Sequence, residues 1–267
     1  MSEQYNANTS PLRKPPAAAA ILGEIRAPFE SALMLPLLAR AHLFPRKARK
    51  RQPVMVIPGF GVGDEATAPL RYFLARQGHE TRGWELGRNL AGADIKHQLS
   101  DLSDRWEFEP REDYRGEAGV PILSDRLAES VLAWSRSLES PVTLIGWSLG
   151  GSLAREVARD FPEHVRQVIT LGSPVLGGPK YTTTARFFRE RGLDLDWIER
   201  EIDKRQERPL KVPVTAIYSP NDGIVSATAA RDDRETAVNY IKVSASHIGM
   251  PFNPRVWRRI QATLDAI

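Results

Sequence analysis

The strongest chemical signal in the chain is Gly146-Trp147-Ser148-Leu149-Gly150, which lies between the β-prone run Val142 to Ile145 and a helical pattern that begins at Leu149. A serine at a sharp strand-to-helix turn occupies a strained backbone, and glycines two positions away on either side let strand and helix approach without Cβ clashes. Its hydroxyl then stands at the carboxyl edge of a sheet, near the positive end of the following helix. A serine hydroxyl is a weak nucleophile at neutral pH. Nucleophilic chemistry at Ser148 therefore needs a general base with a carboxylate behind it, in the chain order serine, acid, histidine.

Five histidines are present, His42, His79, His97, His164 and His247, and only the last two follow Ser148. His164, in Phe161-Pro162-Glu163-His164, reads as a helix-terminal surface residue. His247 follows the last strand, in Ser244-Ala245-Ser246-His247-Ile248-Gly249, and is the candidate base. The candidate acid is Asp222, in Ser219-Pro220-Asn221-Asp222-Gly223, placed to accept the imidazole N–H and hold its tautomer. Asp232, Asp233 and Glu235 are the fallback acids. A tetrahedral intermediate also needs backbone N–H donors for its anion. Leu149 supplies one, and the loop Pro58-Gly59-Phe60-Gly61-Val62-Gly63 supplies the other through Phe60. That loop is no dinucleotide fingerprint, because Asp64 stands where G-x-G-x-x-G requires glycine, and no Walker A motif occurs.

The elements that must position these residues alternate after Pro53. Strands are expected at Val54 to Ile57, Thr81 to Leu86, Val142 to Ile145, Val165 to Leu171, Val212 to Tyr218 and Ala237 to Val243. Helices are expected at Pro69 to Gln77, Ile122 to Leu138, Leu149 to Phe161 and Pro254 to Ile267. Strands separated by helices imply an α/β fold with a parallel sheet covered on both faces. Two stretches break the rhythm. Arg88 to Gly119 carries ten charges between Asp101 and Glu117 and reads as a solvated loop rather than a cation site. Gly177 to Pro209 contains Thr182-Thr183-Thr184, Phe187-Phe188 and a helical stretch from Asp196 to Arg208.

Ahead of this region, residues 1–52 read as an N-terminal unit. Met1 to Pro16 is polar and aperiodic. Residues 17–44 form an amphipathic helical pattern interrupted by Pro28 and Pro36, where a helix must kink or restart. Arg46-Lys47-Ala48-Arg49-Lys50-Arg51 follows, so that residues 17–51 could hold a membrane surface or an acidic partner, although such charge runs are usually only solvated.

Composition narrows the rest. The 267 residues are 42% hydrophobic and 26% charged, which suits a folded domain and excludes whole-chain disorder. With no cysteine, disulfides, thiolate metal sites and a cysteine nucleophile are excluded. A net charge of +4, from 37 basic and 33 acidic residues, gives little support to nucleic-acid binding. No apolar run approaches the roughly 20 residues needed to span a bilayer. A secretory signal is missing too, so the expected location is cytoplasmic, at most peripheral to a membrane.

The ordered set Gly59-Phe60, Gly146-Trp147-Ser148-Leu149-Gly150, Asp222 and His247 resembles the α/β-hydrolase superfamily, in its compact lipase and esterase-like members. The resemblance covers residues 53–267. It implies a central, mostly parallel sheet shortened to about six strands, helices on both faces and a small cap or lid at residues 178–209. It implies hydrolysis of carboxylic esters or lipids by a Ser148-Asp222-His247 triad, with no metal or organic cofactor. Phe187, Phe188 and Trp197 could then line an acyl pocket or simply anchor the cap, and Trp147 is expected to pack beneath the sheet edge or touch substrate. Pro58-Gly59 replaces the His-Gly that precedes the oxyanion residue in many lipases. The competing reading is a catalytically silent binding or scaffold protein recruited through residues 17–51.

Overall fold

Short strands rich in Val and Ile stay apolar on successive positions only where both faces of a sheet are covered. The computed structural model describes residues 14–232 and 237–267, and among them are six strands: β1 (Pro53–Ile57), β2 (Glu80–Gly83), β3 (Val142–Trp147), β4 (Val165–Leu171), β5 (Val214–Tyr218) and β6 (Val238–Lys242). They form one sheet in the order β2-β1-β3-β4-β5-β6, every neighbouring pair parallel. The helices are α1 (Ala18–Gly23), α2 (Ala27–Ala32), α3 (Met34–Leu43), α4 (Ala68–Arg76), α5 (Gly119–Ser137), α6 (Leu149–Asp160), α7 (Ala185–Glu190), α8 (Leu195–Gln206) and α9 (Pro254–Ala266).

The period-2 geometry of a strand divides the core. Val54, Val56, Ile145, Ile169 and Ile217 face the layer that contains α3, α4 and α9, where Phe73 stacks on Trp257 at 5.0 Å. Met55, Ile57, Leu144 and Val168 face Leu127 and Val131 of α5 and Leu153 and Val157 of α6. Each such buried side chain contributes about 1.5–3 kcal/mol. This two-sided burial holds the strand ends, and the loops they launch, in fixed positions.

Local chemistry explains where the elements depart from expectation. Pairing in β2 stops at Gly83 rather than Leu86, because the Asp64 carboxylate accepts the N–H groups of Trp84 and Glu85, both at 3.0 Å, and Glu85 takes φ 61°. Helix α5 begins at Gly119, three residues earlier than expected, since Pro121 falls in its first turn, where no N–H is needed. Helix α7 was not expected at all. In the N-terminal segment, Pro28 and Pro36 sit in the first turns of α2 and α3, so the helix restarts at each, as the spacing implies. Ala41 is buried, and Met34, Leu37 and Leu38 pack beside it on the α4 and α9 layer.

The strand order places the site. From β1 the chain moves to one side for β2, then returns through α5 to β3 on the other side of β1. Open α/β sheets bind ligands in the crevice at such a reversal, outside the carboxyl ends of the strands. The segments leaving those two strands are the Pro58–Gly63 loop and Ser148.

Candidate active site

Ser148 joins β3 to α6 with φ 54° and ψ −125°, a conformation rare for a residue with a side chain. The turn is possible only because its flanks are glycine. A Cβ on Gly146 would fall 2.3 Å from the Gly150 carbonyl oxygen and the same distance from Gly151 Cα. Leu149 is the first residue of α6, so its N–H has no acceptor within the helix.

Asp222 follows β5, and its Oδ1 accepts the N–H groups of Ile224 (2.9 Å) and Val225 (2.7 Å). Its Oδ2 lies 2.7 Å from His247 Nδ1, with both side chains buried. An ionised carboxylate can only accept, so Nδ1 carries the proton, and in the neutral ring Nε2 is then the acceptor. Ser219 ties the two loops together. Its hydroxyl donates to the Ala245 carbonyl (2.7 Å) and receives the N–H groups of Asn221 and Ala245. The Trp147 indole N–H donates to the His247 carbonyl at 3.2 Å, which links the turn at Ser148 to the histidine loop. Gly172, at φ 54° after β4, leaves room beside this pair: a Cβ there would stand 2.7 Å from Asp222 Oδ2. Asp232 is buried near Tyr240, whose hydroxyl receives its backbone N–H, while Asp233 and Glu235 lie outside the described residues. His164 sits at the opposite edge of the sheet, just before β4, with Nδ1 3.0 Å from Ser135 Oγ.

Ser148 and His247 border one cavity of about 440 Å³, together with Phe60, Trp147, Leu149 and Phe188. The Phe60 loop is held by Asn89, which is fully buried and is not among the residues singled out by motif or spacing. Its side-chain amide donates to the Pro58 carbonyl (2.9 Å), and its backbone exchanges hydrogen bonds with Gly61 and Val62. Nothing in the local sequence marks this asparagine, because its partners lie about 30 positions earlier. Phe187 is a correction. It is 39% exposed, packs edge-on to Phe60 at 5.5 Å and is absent from the cavity wall, which Phe188 and Trp197 both reach.

The charged stretch from Asp101 to Glu117 departs from expectation only in part. Most of its charged side chains are exposed, as expected of a solvated loop, but Trp106, Phe108 and the buried Glu117 also make it a wall of the site. Asp125 accepts hydrogen bonds from the N–H and hydroxyl of Ser103, from Arg105 and from the Trp106 indole. Trp106 stacks on Phe108, and Phe108 packs at a tilt of 52° against Trp197 of α8. Trp106, Phe108 and Trp197 all border the cavity. Glu117 accepts the Asp194 N–H at the start of α8, and Arg205 lies over the Trp106 ring while pairing with Glu156 and Asp160. Burial holds the Asp160 carboxyl above the usual carboxylate range, against the pull of Arg205. The two irregular stretches therefore form one cap over the strand ends. Its floor is tied to the acid loop by a bridge between Thr182 and Val225.

Residues 137–216 match the alpha/beta hydrolase fold family. A monoacylglycerol lipase from Paleococcus ferrophilus superposes with a TM-score of 0.54 at 14% identity, over 84% of this chain and 96% of that one. A Bacillus licheniformis lipase gives 0.55 at 14% identity, over 82% and 94%. A soluble variant of the Saccharomyces cerevisiae monoglyceride lipase gives 0.52 at 13%, over 84% and 89%. No curated protein sequence matches the chain significantly.

Proposed function

We propose that this chain, which has the α/β-hydrolase fold, cleaves carboxylic esters through an acyl-enzyme. The observation that carries the reading is the buried Asp222–His247 pair at 2.7 Å, bordering the same cavity as a serine held at positive φ. Ser148 attacks the ester carbonyl as His247 Nε2 takes its proton, and Asp222 stabilises the imidazolium. The N–H groups of Leu149 and Phe60 bind the oxyanion. The tetrahedral intermediate collapses, the alcohol leaves with the proton from His247, and water activated by the same imidazole releases the acid. An acyl chain fits the apolar wall built by Phe60, Phe188, Phe108 and Trp197, in line with the lipase names of the neighbouring structures. A fluorophosphonate probe tests this without assuming a substrate. We expect an adduct on Ser148 that His247→Ala abolishes; a folded protein that takes no label would favour the silent scaffold instead.

We further propose that the ester is presented at a lipid surface, through residues 17–51. No helix among the described residues is long and apolar enough to cross a membrane. Leu22, Ile25, Phe29 and Leu33 are nonetheless 63–78% exposed, and the exposed run Arg46 to Arg51 follows them. An apolar face flanked by bases suits the interface of an anionic bilayer. Ile248, at the cavity edge and 44% exposed, is bonded to this same segment. The full chain is expected to float with phosphatidylglycerol vesicles and much less with phosphatidylcholine. Leu22→Ser/Phe29→Ser should lower flotation severalfold while leaving hydrolysis of a water-soluble ester intact. Equal flotation of the variant would exclude this surface.

A further inference from the structure

The N-terminal segment reaches the histidine loop with two carboxylates. Glu24 lies in a single 3-10 turn between α1 and α2, and its Oε1 accepts the N–H of His247 (2.7 Å) and of Gly223 (2.7 Å), while Oε2 accepts the N–H of Ile248 (3.0 Å). Glu30, in α2, accepts the N–H of Ser246 at 2.9 Å and its hydroxyl at 3.0 Å, and that hydroxyl receives the N–H of Gly249. Four consecutive N–H groups, 246 to 249, are thus satisfied by this segment directly or through one hydroxyl. The loops are built for the contact. A Cβ on Gly223 would fall 2.5 Å from the Ala20 carbonyl oxygen, and one on Gly249 would fall 2.3 Å from Glu30 Oε2.

We propose that Glu24 is a positioning residue for the Asp222–His247 pair. One carboxylate clamps the backbone of His247 and of the residue after Asp222, so the two loops move as a unit and the imidazole keeps its register with Ser148. This rests on the triad proposed above, and it adds a fourth residue, more than 100 positions upstream of the nucleophile, that acts on the base without touching substrate. Hydrogen bonds to a charged acceptor are the stronger kind, and a displacement of about 1 Å at a catalytic group can cost on the order of 100-fold in rate.

The experiment compares Glu24→Ala, Glu24→Gln and the full wild-type chain. It reads kcat and KM on a water-soluble short-chain ester, the rate of fluorophosphonate labelling and the downfield NMR proton of the His247–Asp222 hydrogen bond. For Glu24→Ala we expect kcat and labelling to fall about 10- to 100-fold, KM to stay within about twofold and the downfield proton to broaden or vanish in a folded protein. Glu24→Gln should fall between the two, since its oxygen still receives the Gly223 and His247 N–H groups while its amide meets that of Ile248. A kcat and a downfield proton equal to wild type in Glu24→Ala would overturn the proposal; if that variant fails to fold, the same result in Glu24→Gln would do so. If the wild type neither turns over ester nor takes label, the hydrolase reading fails by itself. The downfield proton then decides this one, supported by its loss on substitution and overturned by its persistence.

Discussion

Replacing Ser148 by alanine is expected to lower kcat for ester hydrolysis by roughly 10⁶-fold, with KM changed little. The substitution deletes one oxygen at the cavity edge. The cap, the apolar wall and the Leu149 and Phe60 N–H groups remain, so ester still binds, and what survives is the hydrolysis these groups support without a nucleophile. His247→Ala should cost nearly as much, and the double variant little more than either single one, because nucleophile and base act in one step and their effects do not add. Single-turnover kinetics with a chromogenic ester provide the measurement: wild type should release a burst of alcohol and Ser148→Ala none. A Ser148→Ala protein that keeps more than about a hundredth of the wild-type kcat would exclude the acyl-enzyme, given the size of the loss expected.

Asp222→Asn is expected to lower kcat by about 10⁴-fold without unfolding the protein. The amide oxygen can still accept the N–H groups of Ile224 and Val225, so the turn is preserved. The amide nitrogen then faces His247 Nδ1 and donates to it. That reverses the tautomer, placing the imidazole proton on Nε2, where the ring can no longer take one from serine. Circular dichroism should show a melting transition close to wild type, and kcat alone should collapse. A variant that keeps wild-type kcat would mean that another carboxylate serves His247, with Asp232 the nearest in sequence among the fallback acids in the described residues.

Much of this site could be read from short-range pattern. A run of β-prone residues, a glycine two positions before Ser148 and another two after it specify a strand, a tight turn and a helix within nine residues, and local sterics enforce them. Asp222 and His247 were legible for a related reason, since parallel α/β units put each strand's carboxyl end at the same edge of the sheet, and any loop that follows a strand arrives there. What failed was the reading of residues with no local signature. The charges from Asp101 to Glu117 are mostly solvated, but nothing local shows that Trp106 and Phe108 among them face the cavity once Asp125 and Asp194 anchor the stretch. Phe187 and Phe188 are equivalent as neighbours in sequence, yet α7 turns one toward the cavity and leaves the other against Phe60 at the surface.

The sequence by itself determined the alternation of six strands with helices and the strained turn at Ser148, because each depends on contacts within a few residues or on the periodicity of a buried strand. The candidate acid and base followed from their places after later strands, in the chain order serine, acid, histidine. Only the tertiary structure decided that Asn89 holds the Phe60 loop, that two irregular stretches close into one cap, and that Glu24 and Glu30 satisfy the backbone of the histidine loop. A carboxylate and an N–H 223 positions apart carry no shared pattern along the chain; they become partners only when packing of α3 on the α4 and α9 layer brings the N-terminal segment to the strand ends.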